Sequence, residues 1–244
     1  MSTRLFVSQP LSNGASIELE GDPARYLGKV LRGRVGDGVT LFSGDGPEWH
    51  ATITAFGKNR VSLEIGESFE PGTESPLKIH LVQGISRGER MDFVVQKATE
   101  LGADRITPVF SEYGVVKLDD KRAAKRHDHW QKIAVNACEQ CGRTKLPLID
   151  APIRLNDWFG SKPEGVDAEL VLTPGAAQPL STIVPPEAAV CVLIGPEGGF
   201  SSGEYDDAAA AGFSAVSIGK RILRTESAAI ATLAIMQSLW GDLK

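Results

Sequence analysis

The segment Leu193–Phe200 reads LIGPEGGF, so an apolar run, Ala189–Ile194, stops at three glycines, a proline and one carboxylate. Gly195, Gly198 and Gly199 allow positive φ or the close approach of a ligand to the backbone, and Pro196 stiffens the turn. The stretch has neither the lysine and hydroxyl of a Walker loop nor a G-x-G-x-x-G spacing, and Glu197 would repel phosphate. A carboxylate there suits a neutral or cationic ligand, a sulfonium included. The plain alternative is a turn that only ends a strand. Ser201 or Ser202 can cap the helix that follows, with Glu204 or Tyr205 in its first turn.

A second chemical stretch is RILRTES, Arg221–Ser227. Thr225 can cap the closing helix, and Arg224 stands just before it. An arginine beside a helix N-terminus does not complement the helix dipole. Arg224 is therefore better explained by a hydrogen-bond-accepting ligand, with an ion pair to Glu226 or Asp206 as the alternative. The third stretch, LVLTPGA, carries Leu172, Thr173 and Pro174 at the end of another apolar run. Metal chemistry is not expected. Cys138 and Cys141 share one helix-like stretch with His127 and His129, without a second ligand pair set off by a turn. The same C-x-x-C lies late in that pattern, away from the helix N-terminus that stabilises a thiolate, so packing explains it better than redox chemistry.

The elements that must position these loops follow from periodicity. Up to residue 72 the chain reads as a small β module, with strands over Val39–Phe42, Glu48–Phe56 and Arg60–Ile65 separated by SGDG and GKN. A helical piece precedes them, with Asp22 as cap and Gly33 as stop. FEPGTESP, Phe69–Pro76, is a polar joint. From residue 76 to 244 strands alternate with helices: LKIHLVQGI, then GERMDFVVQKATELG with a stripe of Met91, Val94, Val95, Ala98 and Leu101, then RITPVF, and a long helix over Asp120–Gly142. ELVLTP, VCVLIG and AVSIG are further strands, and SAAIATLAIMQSLW is a closing helix. Continuously apolar strands alternating with helices predict a parallel sheet covered on both faces. In such sheets ligands bind beyond the carboxyl ends of the strands, which is where all three loops fall.

At 42% hydrophobic and 23% charged the chain is an ordinary globular sequence. It has no apolar run near the roughly 20 residues that span a bilayer, and MSTRLFVSQPL lacks the features of a secretory signal, so a cytoplasmic protein is expected. A net charge of −5 argues against indiscriminate coating of nucleic acid. The cations are nonetheless clustered: Arg25, Lys29, Arg32 and Arg34, then Lys117 to Lys132, then Arg143 and Lys145. Solvated helix faces are the bland reading of the second group.

LIGPEGGFS, the glycine of SIG and RILRTESAA together resemble the last third of the RsmE-type 16S rRNA (uracil-N3)-methyltransferases of the SPOUT superfamily. SRGERMDFVVQKATELG, ITPVFSE, VVKL, WQKIAVNACEQCGR and, near the N-terminus, RYLGKVLR match that family in the same order. The resemblance implies a PUA-like RNA-binding β-barrel over residues 1–72 and a SPOUT α/β methyltransferase domain over 76–244 with a C-terminal trefoil knot. Pattern reasoning alone would have excluded a knot. It also implies S-adenosyl-L-methionine as cofactor, held by Leu172–Pro174, Gly195–Gly199 and Ile218–Thr225, the last including Gly219 and Leu223. A homodimer packed through the knots and the closing helix is implied as well, with no membrane or metal partner. Tyr26 and Tyr113 depart from the histidine and arginine common in the family.

Methyl transfer to uracil N3 requires an aligned approach and loss of the N3 proton. A cation beside the uracil carbonyls would stabilise the anion. Arg224 is the first candidate and Arg87 of the SRGE loop the second. Glu197 is a proton acceptor or a cofactor ligand, and the sequence leaves both open. Arg25, Lys29, Arg32, Lys117, Lys132 and Arg143 are the expected contacts to 16S rRNA backbone within the small ribosomal subunit. The alternatives are a catalytically silent RNA-binding protein of this fold and a methyltransferase for another base.

Overall fold

A computed structural model of the chain describes residues 3–114 and 120–244. It divides into two compact units, residues 1–74 with 138–146, and residues 75–137 with 147–244.

The first unit is a curled five-stranded sheet. β1 (Thr3–Phe6), β2 (Ser16–Glu20), β3 (Gly38–Phe42), β4 (Glu48–Gly57) and β5 (Arg60–Phe69) lie in the order β1-β3-β4-β5-β2. β1 runs parallel to β3, and the other pairings are antiparallel. Among the described residues the edges β1 and β2 do not pair, so the sheet is a curled half-barrel. Leu5, Leu19, Leu27, Leu41, Ile53 and Leu63 fill its core. The expected helix before these strands differs in form. α1 (Gly21–Arg25) passes directly into one π-helical turn, Tyr26–Val30, in which the Leu31 amide donates to the Tyr26 carbonyl. Asp22 lies in the first turn, not at the cap, and the segment ends before Gly33.

Residues 138–146 join this unit through charge. Arg4 pairs with the buried Glu48 and donates to the carbonyls of Cys138, Glu139 and Arg143 at 2.5, 3.0 and 3.1 Å. Glu74 accepts from the Thr144 and Lys145 amides and pairs with Arg143 at 2.9 Å. Cys138 is buried here, and burial pushes its thiol up to about 12, so it is held as a thiol.

The second unit holds a seven-stranded parallel sheet. Its elements run β6 (Lys78–Gly84), α2 (Glu89–Glu100), β7 (Ala103–Phe110), α3 (Asp120–Cys141), β8 (Leu148–Ile149), β9 (Ile153–Arg154), α4 (Leu155–Phe159), β10 (Ala168–Leu172), β11 (Ala189–Ile194), α5 (Ser202–Ala210), β12 (Ser214–Val216) and α6 (Thr225–Trp240). The strand order is β12-β10-β11-β6-β7-β8, with β9 also on β7. Strand alternation makes two cores from one sheet. Leu81, Val190, Val192 and Ile194 face the core that holds Met91, Val94 and Leu233 of α2 and α6. Val82, Cys191 and Leu193 face the other, with Trp158, Phe200, Ala208 and Phe213. From β6 the chain builds outward to β7 and β8; on the other side β11 lies against β6 with β10 and then β12 outside it, so the direction changes at the β6–β11 pair. No helix among the described residues is long and apolar enough to cross a membrane.

Candidate active site

The carboxyl ends of β6 and β11 meet unusually closely. A Cβ on Gly84 would lie 2.4 Å from Pro196 Cδ and 2.5 Å from its nitrogen, so only glycine fits there. Beside it Gln83, fully buried, points Nε2 at the Gly84 carbonyl (3.1 Å), the Ile194 carbonyl (3.4 Å) and Thr225 Oγ1 (3.0 Å). Thr225 in turn donates its hydroxyl to the Gly195 carbonyl at 2.6 Å. One amide and one hydroxyl thus tie together the ends of two strands and the start of α6. Thr225 does not cap the helix, as its sequence position suggested. Arg224 occupies the cap position, and no side chain caps it.

The loop after β11 is braced from outside. Ser201 Oγ accepts from the Glu204 amide at 3.2 Å, and Glu204 Oε2 accepts from the Ser201 amide at 2.9 Å, forming a capping box. Glu204 Oε1 also accepts from the Glu112 amide at 2.7 Å. A Cβ on Gly198 would come within 3.0 Å of Tyr113, and Gly199 has φ +70°. Loop 173–180 is tied to the end of β12 and the residue after it: the Thr173 amide donates to the Val216 carbonyl, the Ser217 amide to the Gln178 carbonyl, and the Leu180 amide to the Ser217 carbonyl.

These three strand-end loops enclose a crevice of about 530 Å³. Of the cofactor segments expected from the sequence, Leu172–Pro174, Gly195–Gly199 and Ile218–Thr225, every residue but Lys220 lines it, and Tyr205 and Ala228 join them. Its charged lining is Arg90, Glu197, Arg221, Arg224 and Glu226. Arg90 Nη1 donates to Glu197 Oε1 at 2.7 Å, and the Arg87 amide donates to the same oxygen at 3.0 Å. Burial pushes the Glu197 carboxyl up. The hydrogen bonds from its own amide, the Arg87 amide and Arg90 outweigh that and hold it below the usual carboxylate value. A carboxylate so engaged is a weak base and a strong anchor. Burial likewise raises the Tyr205 phenol, opposed by its hydrogen bond with Thr173. Arg224 is exposed and forms no ion pair among the described residues, so neither Glu226 nor Asp206 holds it.

The lining suits a ligand with an apolar ring system and a few polar donors. Leu172, Ile194, Ile218, Leu223 and Ala228 offer apolar surface. Glu226, in the wall, has its Oε2 buried with no hydrogen-bond partner among the described residues, an acceptor that a donor on the ligand would satisfy. S-adenosylmethionine, with an adenine ring, hydroxyls and an ammonium, fits that lining.

Other expected residues fall differently. Arg87 contributes only its amide, while the arginine in the wall is Arg90, one helical turn further on and overlooked in the sequence. Arg143 is 5% exposed and paired with Glu74, so it is removed from the set of RNA contacts: a guanidinium buried in an ion pair has no face for phosphate. Arg25, Lys29, Arg32 and Lys132 are exposed. Lys117 lies outside the described residues. Gln83 could have been noticed as the polar residue in an otherwise apolar strand, and Gly84 as the glycine that follows it.

Comparisons with known proteins agree with this reading at two levels. The sequence matches the RNA methyltransferase PUA domain family over residues 19–66 and the RNA methyltransferase domain family over residues 73–237. Among whole proteins, the ribosomal RNA small subunit methyltransferase E of Buchnera aphidicola subsp. Schizaphis graminum is 35% identical over 242 residues, covering 98% of this chain and 97% of the relative. A crystal structure of ribosomal RNA small subunit methyltransferase E from Neisseria gonorrhoeae bound to S-adenosyl methionine shares 40% identity over the full length of both chains, with a TM-score of 0.93. A putative methyltransferase from Legionella pneumophila, in complex with the same cofactor, shares 38% identity over the full length of both, with a TM-score of 0.95. The chain belongs to the ribosomal RNA small subunit methyltransferase E family.

Proposed function

We propose that this chain methylates N3 of a specific uridine in 16S rRNA of the small ribosomal subunit, using S-adenosylmethionine, in the cytoplasm and as a homodimer whose C-terminal loops form a trefoil knot. The observation that carries the reading is the convergence of three strand-end loops on one crevice that holds an orphaned acceptor and three arginines, Arg90, Arg221 and Arg224. Bound S-adenosylmethionine supplies an electrophilic methyl group. The work left to the protein is alignment and charge.

Loops 172–174, 195–199 and 218–225 would hold the cofactor through backbone groups, and Glu226 would accept from one of its donors. Glu197 fixes Arg90 in the wall, leaving the rest of that guanidinium to face the substrate. Arg224, exposed and without an acidic partner, is the second cation. Either can stabilise negative charge on a uracil carbonyl as the N3 proton leaves, which lowers the N3 pKa. The base must leave its stack to enter the crevice. Arg25, Lys29 and Arg32 on the first unit, and Lys132 on the second, would contact RNA phosphate. Exposed Ile222, Leu223 and Leu239 support a partner copy against the C-terminal part of the chain.

The test is to incubate the protein with undermethylated small subunits and labelled cofactor, then map the product by mass spectrometry. A single N3-methyluridine in 16S rRNA is expected. Label on another base, or none, would refute the reading.

A further inference from the structure

The first unit carries an aromatic site that the methyl-transfer chemistry does not use. Phe56, next to last in β4, is 39% exposed. Its ring lies on glycine: a Cβ on Gly28 would be 3.5 Å from Phe56 Cε1, and one on Gly33 would be 3.6 Å from Phe56 Cζ. Neither glycine has a left-handed φ, and nothing but Phe56 comes within 4 Å of a Cβ at Gly28. A side chain at position 28 would grow over the ring. Glycine leaves the ring supported by backbone and open to solvent.

The segment that carries these glycines is unusual in its own right. Tyr26–Val30 is a π-helical turn, a rare geometry frequently found at functional sites. Arg32 has φ 54°, a left-handed conformation that an arginine adopts only when its surroundings impose it. Leu27 anchors the turn in the core at 1% exposure. Arg25, Lys29, Arg32 and Arg34 are exposed, and none forms an ion pair among the described residues. Of the nearby acids, Asp37 is engaged by the Arg34 amide and Glu18 by Arg60, while Glu20 and Asp22, at the start of α1, are exposed and form no ion pair among the described residues, so the four cations of Arg25–Arg34 outnumber them.

We propose that Phe56, seated on Gly28 and Gly33 beside these free cations, is a stacking platform for an unpaired base of the RNA substrate. An exposed ring with uncompensated positive charge is the combination that single-stranded nucleic acid requires: a π face for any base and cations for the backbone. A protein partner would need no such excess of cations. The proposal rests on the reading of the substrate as RNA. It adds a contact on the first unit that reads an unstacked nucleotide, distinct from the uridine that is methylated.

The test measures binding of a fluorescent single-stranded oligouridylate to the full chain and to Phe56→Ala, Phe56→Leu and Phe56→Trp, each checked by thermal melting and by calorimetric titration of S-adenosylmethionine. Loss of one stacked base should weaken RNA binding by about tenfold in the Ala and Leu variants. Trp should restore it, with its fluorescence quenched by the RNA. Cofactor affinity should be unchanged in all three. The salt dependence should also be unchanged, since Phe56 neutralises no phosphate, whereas Lys29→Ala/Arg32→Ala should flatten it. Wild-type binding by Phe56→Leu would reduce the ring to packing and overturn the proposal. So would variants that lose affinity for the small subunit but not for the oligonucleotide, because the ring would then meet protein. Methylation of undermethylated subunits by the wild-type chain, run in parallel, separates failure of this contact from failure of the RNA reading itself.

Discussion

Glu197 serves as an anchor, because the same hydrogen bonds that keep it ionised make it a poor proton acceptor. Its Oε1 holds the Arg90 side chain and the Arg87 amide, two positions about 110 residues earlier in the chain. Glu197→Gln should therefore lower kcat by about tenfold or more, through loss of Arg90 alignment, while the cofactor Kd shifts by less than about threefold. Any acidic limb in the pH–rate profile should persist in Glu197→Gln. Its disappearance would make Glu197 the general base after all. At this scale the sequence was legible where chemistry and local spacing coincide: Gly195, Pro196, Glu197 and Arg224 stand out in a line of text. Arg143 misled because its partner, Glu74, lies 69 residues away. Thr225 misled because capping is a local inference, whereas its hydroxyl bonds the Gly195 carbonyl 30 residues earlier.

Among the elements, β6 and β11 matter most, since the close approach of their ends fixes Pro196, which lines the crevice. The apolar runs that encode them were plain in the sequence, and so were α2, α3 and α6. The strands β1 and β2 were not: the four residues of β1 set up no periodicity, and β2 was missed although the Asn13-Gly14 turn stands just before it. The π turn after α1 was illegible for a different reason: YLGKV has no composition that separates it from an ordinary helix. What the runs did not disclose was the contact between Gly84 and Pro196, for which register in space is needed. Gly84→Ala forces Pro196 to move. It should destabilise the protein by about 1–3 kcal/mol in urea melts. It should also weaken cofactor binding, read by calorimetry, because the moved proline belongs to the crevice wall. Unchanged affinity would detach the strand ends from the site.

Over the whole molecule, two units are built on different principles, a curled antiparallel-rich sheet and a two-faced parallel sheet, and only the second carries the crevice. The second also carries a buried proton-sensitive network. The Thr107 hydroxyl donates to Asp150 and so accepts from His80 Nε2 at 2.7 Å, with Arg105 on Asp150 at 2.7 Å. Burial, and then the Arg105 charge, lower the His80 pKa to about 4, against the pull of Asp150. Because the folded value lies below the unfolded one, this contribution is complete above pH 6.5 and is lost as the pH falls toward 4. Between pH 7 and pH 5 the wild type should lose about 2 kcal/mol more than His80→Gln in urea melts. Parallel losses would remove His80 from the acid response. The central claim, that three separate loops make one cofactor crevice, is tested most directly by titrating S-adenosylmethionine calorimetrically into the wild-type chain and into Gly195→Arg. A Cβ at Gly195 already lies 3.2 Å from Gly199 and 3.4 Å from the Phe200 ring, so a long side chain must displace the loop that lines the crevice. Saturable binding by the wild type and none by the folded variant is the expected result. Equal binding by the two would contradict it.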